Sequence, residues 1–382
     1  MPDTATDDLP TARATARPPR LARSETTSQL HLLGTAHARW AALLTAVLGI
    51  AMLASAESKL LSVANFGLIA AIAAIGLNIA MGTTGIMSLG HAVFVGFGAF
   101  TAAVAGDHGL PFVAGALAAM VVAALASLTI GPLALRLSGL YLAVGTIGIA
   151  YVGKHLFVNL RSLTGGGAGR SVKSPSILGV PLADSSAVAG RLVTGDMKWF
   201  ILLALVTIAV GTAVASLNRL RWGRAFRAVR DNENSAAAVG VNVNHARVVA
   251  FAMSAALGGL SGALLAGYLR YLNPETFGLE YSIQYIAMII IGGLGTVSGA
   301  VIGALVIIAL PTVLNNLSTS LGLVEQASGT SGSFNTGTLA VIAYGLIIVS
   351  VMALAPNGVI GGLSRLLGHF GRRCSTRSSH NA

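Results

Sequence analysis

The sequence predicts an all-α polytopic membrane protein of about ten transmembrane helices, some of them short and interrupted by glycine. Three observations predict it. Of the 382 residues, 54% are hydrophobic and only 10% are charged. Mean hydropathy is +0.77, and several apolar runs approach the length of about 20 residues that crosses a bilayer as a helix. The net charge of +11 sits in tails and loops that flank the apolar runs. Positive-inside topology accounts for that placement, whereas nucleic-acid binding calls for an interleaved basic and aromatic surface.

The first element, residues 1–39, carries five arginines and four acidic residues with no long apolar run, the composition of a disordered cytoplasmic extension. It does not read as a signal peptide, because the first long apolar run starts at Trp40 and leads into a multi-spanning body. Hydropathy then places spans at 40–56, 60–81, 86–105, 111–135, 137–160, 199–217, 248–272, 282–291, 297–314 and 339–355. The transmembrane domain so defined occupies 40–358. With the N-terminus inside, an even number of crossings returns the chain to the cytoplasm at 218–247, and a second even number brings the tail 359–382 to the same side. The loop holds Arg219, Arg221, Arg224, Arg227, Arg230 and Arg247 against Asp231 and Glu233, and the tail holds Arg365, Arg372, Arg373 and Arg377. The most basic segments thus share one face. Span 282–291 is short for a crossing and is equally compatible with a re-entrant segment.

Two longer segments fall outside, 161–198 and 315–337. The first departs from positive-inside composition with Arg161, Arg170, Lys173, Arg191 and Lys198, and contains a Thr164–Gly169 turn of four glycines and Pro175. Either segment is a surface for a delivered solute or a binding protein, or a flexible connector. Glycines interrupt the apolar pattern at Gly82–Gly85 and again at Gly292–Gly295, once in each half. Such breaks either line a solute path, since freed backbone groups at membrane depth need a cavity or a partner, or serve close helix packing.

Among motifs, no GxxxxGK[ST] phosphate loop occurs, so any ATP-driven process needs another subunit. No HExxH, CxxC or carboxylate cluster occurs either, and the only cysteine, Cys374, has no disulfide partner. That pattern predicts no enzyme, no metal and no cofactor in this chain. Polar residues within spans are few: Asn65, Asn78, Ser88, His91, Tyr141 and Gln284, with Glu280 near a span end. The scarcity of intramembrane carboxylates counts against a proton- or sodium-coupled carrier. For Asn78 and His91, an interhelical hydrogen bond and solute contact are both open.

Specific blocks carry a resemblance. Gly76-Leu77-Asn78, Gly82-Thr83-Thr84-Gly85, Ser88-Leu89-Gly90-His91 and Gly96-Phe97-Gly98-Ala99-Phe100 are followed by Arg136–Ala143, Leu163–Gly166 and Trp222–Arg230. Then come Gly259–Leu264, Pro274–Phe277, Gly292–Thr296 and Pro356-Asn357-Gly358. In this order, from about Leu60 to Gly358, the set resembles the permeases of branched-chain amino-acid ABC importers, of the LivM type. The resemblance implies a permease in the bacterial plasma membrane for branched-chain or other hydrophobic amino acids, both termini cytoplasmic. It implies cytoplasmic ATP-binding-cassette subunits that consume the ATP, a homologous second permease, and an extracytoplasmic solute-binding protein. A urea or short-amide importer is the nearest alternative, and a self-sufficient secondary carrier the competing class. Within the loop, Ala236-Ala237-Ala238-Val239-Gly240 resembles an ATPase-coupling helix, with Ser235 standing where many importers begin with Glu. The expected coupling residues are Arg224, Arg227, Ala236, Ala237 and Gly240, with Phe226 and Val229 offering apolar contact to the partner. The expected solute path is lined by Asn78, Thr84, Ser88, His91, Tyr141, Gln284 and Thr296.

Overall fold

A computed structural model describes residues 58–134, 140–177, 180–182, 186–188, 191–320 and 345. The extension 1–39, the span 40–56, all of span 339–355 but residue 345, most of segment 315–337 and the tail 359–382 lie outside the described residues. Each predicted span between these limits is a helix. Helix α1, Ser58–Asn78, continues through a π-helical turn, Ile79–Thr83. Helices α2, His91–Asp107, α3, Phe112–Ala134, and α4, Leu140–Asn159, follow. After a helical turn α5, Arg161–Thr164, and a set of short strands, α6 covers Gly195–Leu217. The loop folds into α7, Arg221–Asp231, and α8, Glu233–Ala238. Helix α9, Val243–Leu269, then crosses, followed by α10, Leu279–Gly292, and α11, Val297–Ser320.

Among the described residues, five helices are long and apolar enough to cross a membrane, and six if the bent pair α10–α11 counts as one span. That pair turns by 120° at its break, so the short span expected at 282–291 is half of a hairpin. At 1.5 Å per residue, α10 and α2 reach only about 20–25 Å, short of the roughly 30 Å hydrocarbon core. Both short helices adjoin a glycine break, and each needs neighbours to bury its ends.

Helix α9 is the hub, packed along α2, α3 and α1, with α11 on the other side of α1. In lipid, apolar side chains gain little by choosing protein over acyl chains, so helix association depends on close contact through small residues. The α2–α9 seam shows it. A methyl built on Gly98 would stand 2.1 Å from the Gly259 carbonyl oxygen, and one on Gly262 would stand 1.9 Å from that of Val95. The α10–α11 hairpin closes the same way at Gly292, Gly299 and Gly303. By contrast, α3 turns Val113, Leu117, Val121 and Leu125 outward, as a lipid-facing or partner-facing helix should.

The helix ends define two faces of the packet. At one, Asn65 Nδ2 of α1 donates to the Asp196 carbonyl in the first turn of α6 at 3.0 Å, and the Tyr268 hydroxyl of α9 reaches the Asp196 carboxylate at 3.1 Å. Here too lie the strands β1, Arg170–Ser171, paired antiparallel with Tyr271–Leu272, and two small hairpins. This is the hairpin face. The other, where α7 and α8 lie, is the loop face.

Candidate functional site

On the loop face the two glycine breaks meet. The π-helical turn ends α1 with Thr83 and Thr84 both donating their hydroxyls to the Ile79 carbonyl, at 2.6 and 3.0 Å, while the Ile86 N–H reaches the Ala80 carbonyl at 2.9 Å. Threonine hydroxyls that bond back along the helix take the place of main-chain donors and ease this wider turn. One turn earlier, Asn78 uses both halves of its amide across the fold. Its Oδ1 accepts from the Gly295 N–H at 2.8 Å and its Nδ2 donates to the Thr296 carbonyl at 2.9 Å. A methyl on Gly82 would lie 2.5 Å from the Gly295 nitrogen, so the breaks touch backbone to backbone. Gly295 itself sits at φ 80°, a conformation that favours glycine.

Replacing Asn78 by alanine strips partners from two backbone groups. It should lower stability by about 2 kcal/mol. Asn78→Asp should fare no better, because a carboxylate would face the Thr296 carbonyl with no proton to offer. Thermal midpoints of the detergent-extracted protein check both, and midpoints equal to the parent would refute the clamp.

The loop lies over this junction. In α7 the apolar stripe Gly223, Phe226 and Val229 is buried and the arginines Arg221, Arg224, Arg227 and Arg230 are exposed. Phe226 and Val229 therefore do not offer themselves to a partner, contrary to the sequence expectation: they pack into their own chain. An i, i+3 stripe identifies a buried face and leaves open what buries it. Arg224 and Arg227 donate to the Arg219 and Asn218 carbonyls at 3.2 and 2.9 Å, just past the end of α6, where cations favourably meet the negative end of a helix. Arg230 reaches further, its Nη1 donating to the Gly82 carbonyl at 2.6 Å. Sequence reasoning missed Arg230, since its spacing places it on the same exposed stripe as the others.

Helix α8 begins with the Asn232 side chain accepting from the Ser235 N–H at 2.9 Å. It ends with Gly240 N–H bonded to the Ala237 carbonyl and Val241 N–H to that of Ala236, both at 3.0 Å, with Gly240 at φ 85°. This is a Schellman ending, which demands a left-handed residue at the position of Gly240. Ala236 is buried against the body, while Ala237, Ala238, Val239 and Gly240 are exposed, and nothing lies within 4 Å of a side chain added at Gly240. Glu233, the nearest acidic residue to the position of Ser235, is paired with Arg247 of α9 and so fastens α8 to the chain itself. Beside the exposed ridge, Arg221, Trp222, Ala225, Val241, Asn242 and His245 line a cleft of about 340 Å³.

Of the residues expected to line a solute path, His91 is buried, its Nε2 3.0 Å from the Ala73 carbonyl and its Nδ1 3.5 Å from the Ser254 hydroxyl. His91 thus bonds helix to helix, and Asn78 bonds α1 to the break between α10 and α11. Thr84 is buried in the turn, and Ser88 is buried with its hydroxyl unpartnered. Gln284 is half-buried on α10, Thr296 is exposed at the break, and Tyr141 is 75% exposed on the outside of α4. The structure brings Asn78, Thr84 and Thr296 together and leaves Tyr141 apart from them.

On the hairpin face, the glycine turn is a folded element. Gly165, Gly166 and Gly169 take positive φ, Thr164 donates to the Phe157 carbonyl at 2.6 Å, and the Tyr271 hydroxyl donates to the Ala168 carbonyl at 2.6 Å. Arg170 pairs with Asp107, beyond the apolar stretch of α2, and Lys173 approaches the same carboxylate at 3.9 Å. The Arg170 hydrogen bond holds the Asp107 carboxyl below its ordinary pKa. Beside this pair a cavity of about 600 Å³ opens between Gly106, Leu110, Phe112, Lys173, Ser174 and Pro175.

The family described as "Branched-chain amino acid transport system / permease component" matches residues 59–352. The high-affinity branched-chain amino acid transport system permease protein LivM of Salmonella typhimurium is 29% identical over 64% of this chain and 61% of its own length. That of Escherichia coli K12 has the same figures. The match therefore spans less than two thirds of these relatives. The autoinducer 2 import system permease protein LsrC of Yersinia pseudotuberculosis is 28% identical over 72% of this chain and 76% of its own length. No solved structure matches.

Proposed function

Because the chain belongs to the permease-component family of branched-chain amino acid transport systems, we propose that it is the membrane-spanning subunit of an ATP-driven importer for branched-chain or other hydrophobic amino acids. The observation that carries this reading is the loop face. There α7 and α8 are bound to the transmembrane helices on one side and present an exposed ridge on the other, small at Ala237, Ala238 and Gly240 with Val239 as its one apolar knob. A ridge of small residues with one exposed apolar side chain suits insertion into a groove on a partner, and exposed arginines along α7 suit an acidic rim. In this reading the partner is a cytoplasmic ATP-binding-cassette ATPase. It uses ATP that this chain does not bind, and the loop and both termini lie in the cytoplasm of a bacterial cell. A homologous permease completes the pathway, and a solute-binding protein delivers the solute at the hairpin face, where the 600 Å³ cavity and the Asp107–Arg170 pair lie.

The test is uptake by vesicles containing the assembled complex. Changing the phosphate-loop lysine of the ATPase should abolish uptake while the complex stays assembled. Uptake that persists in that variant, driven by an ion gradient, would show a self-sufficient carrier instead. The ligand captured by the cognate binding protein decides the substrate: leucine, isoleucine or valine supports the proposal, and urea or autoinducer 2 overturns its substrate class.

A further inference from the structure

We propose that Arg230 is the positioning residue that carries movement of the loop into the transmembrane domain, by latching the two helix breaks together at the loop face. The inference rests on the transport reading above. Its starting point is the Gly82 carbonyl, one of the last of the α1 segment and so without a following helical turn to supply a donor. Arg230, 148 residues later, supplies it at 2.6 Å. The same guanidinium stands 3.3 Å from the space a side chain on Gly295 would occupy, and the Arg230 stem lies 3.4 Å from that of Gly85. One side chain thus rests on both breaks.

Beneath it the Gly82–Gly295 contact has no room for a methyl group, and Asn78 ties α1 to Gly295 and Thr296. Separating the breaks to open a path at this face requires Arg230 to leave Gly82. Among the described residues Arg230 forms no ion pair, so its hold is a charge-assisted bond to a carbonyl, which water can replace once the helix moves. Helix α7 meanwhile grips the end of α6 through Arg224 and Arg227. It therefore spans the ends of two transmembrane helices like a yoke, and a pull on α8 acts on both. Charge and length are both needed: the guanidinium fork must reach across the break, and lysine presents a single point donor on a different stem.

The experiment uses the assembled complex with Cys374→Ser as background and single reporters Thr84→Cys and Ser88→Cys, at positions only 3% and 2% exposed. A small water-soluble thiol reagent should label them slowly when Arg230 is present. With Arg230→Met the labelling rate should rise at least tenfold without nucleotide, and ATP hydrolysis should continue with little uptake. Arg230→Lys should restore part of both. Should Arg230→Met not insert, Arg230→Gln carries the same comparison. Unchanged labelling and coupling in a folded Arg230→Met complex, with only a lower thermal midpoint, would reduce Arg230 to a helix cap and overturn the proposal. Labelling does not depend on transport, so a chain that proved to take up solute without ATP would overturn the functional reading and still leave the latch decided.

Discussion

Gly262→Val should yield almost no folded protein. A Cβ at Gly262 would sit 1.9 Å from the Val95 carbonyl oxygen and 2.7 Å from the Ala99 nitrogen. These are backbone atoms of α2 and cannot rotate away, so α9 must retreat by more than 1 Å along its main seam. Overpacking of this kind costs about 3 kcal/mol or more, and in lipid no hydrophobic gain offsets it. Gly148→Ala is the control. Its Cβ meets nothing within 4 Å, and alanine is the better helix former by about 0.8–1 kcal/mol. The thermal midpoint and the monodisperse fraction after detergent extraction should therefore collapse for Gly262→Val and hold or rise for Gly148→Ala. A Gly262→Val protein as stable as the parent would mean that the α2–α9 seam is not packed as described.

The second large effect is functional. Gly240→Trp should cut solute uptake per ATP hydrolysed by more than tenfold, equivalent to about 1.4 kcal/mol of lost coupling. The position imposes a backbone cost on any other residue, about 1–2 kcal/mol for leaving glycine at φ 85°. Gly240→Ala carries that cost without bulk, so it should keep most of its coupling. Tryptophan adds volume into space that is open in this chain and that the proposed partner would occupy. Uptake and ATP hydrolysis measured side by side in proteoliposomes separate the two effects. Equal loss in both variants would point to the turn, and wild-type uptake by a stably inserted Gly240→Trp complex would remove α8 from the coupling surface.

Length and apolarity were enough to find the spans that fall among the described residues, because a bilayer sets both. The loop was legible for a related reason: six arginines between apolar runs mark a face, and the small residues ending at Gly240 mark a helix with a bare surface. What stayed hidden was which side of each element faces home. Phe226 and Val229 announce a buried stripe, but a stripe looks the same whether the chain or a partner covers it. Asn78 was legible as a costly polar group in a span, whereas its partners Gly295 and Thr296 lie more than 200 residues away with no local signal. Arg230 differs from Arg224 and Arg227 only in what stands opposite it. The two-residue pairing of Tyr271–Leu272 with Arg170–Ser171 is too short to leave any alternation to read.

The α2–α9 seam also sets an order of events in the making of this protein. Helix α2 is only 17 residues long and starts at buried His91, while the glycine face it needs, Gly259 and Gly262, is synthesised about 160 residues later. At roughly 5–20 residues per second, that is a wait on the order of 10–30 s. During it, a helix too short to reach both headgroup layers must be sheltered by the insertion machinery or sit askew in lipid. Nascent chains halted before Val243 should therefore crosslink from α2 to the insertion machinery or to lipid, and release past Leu269 should replace those crosslinks with ones to α9.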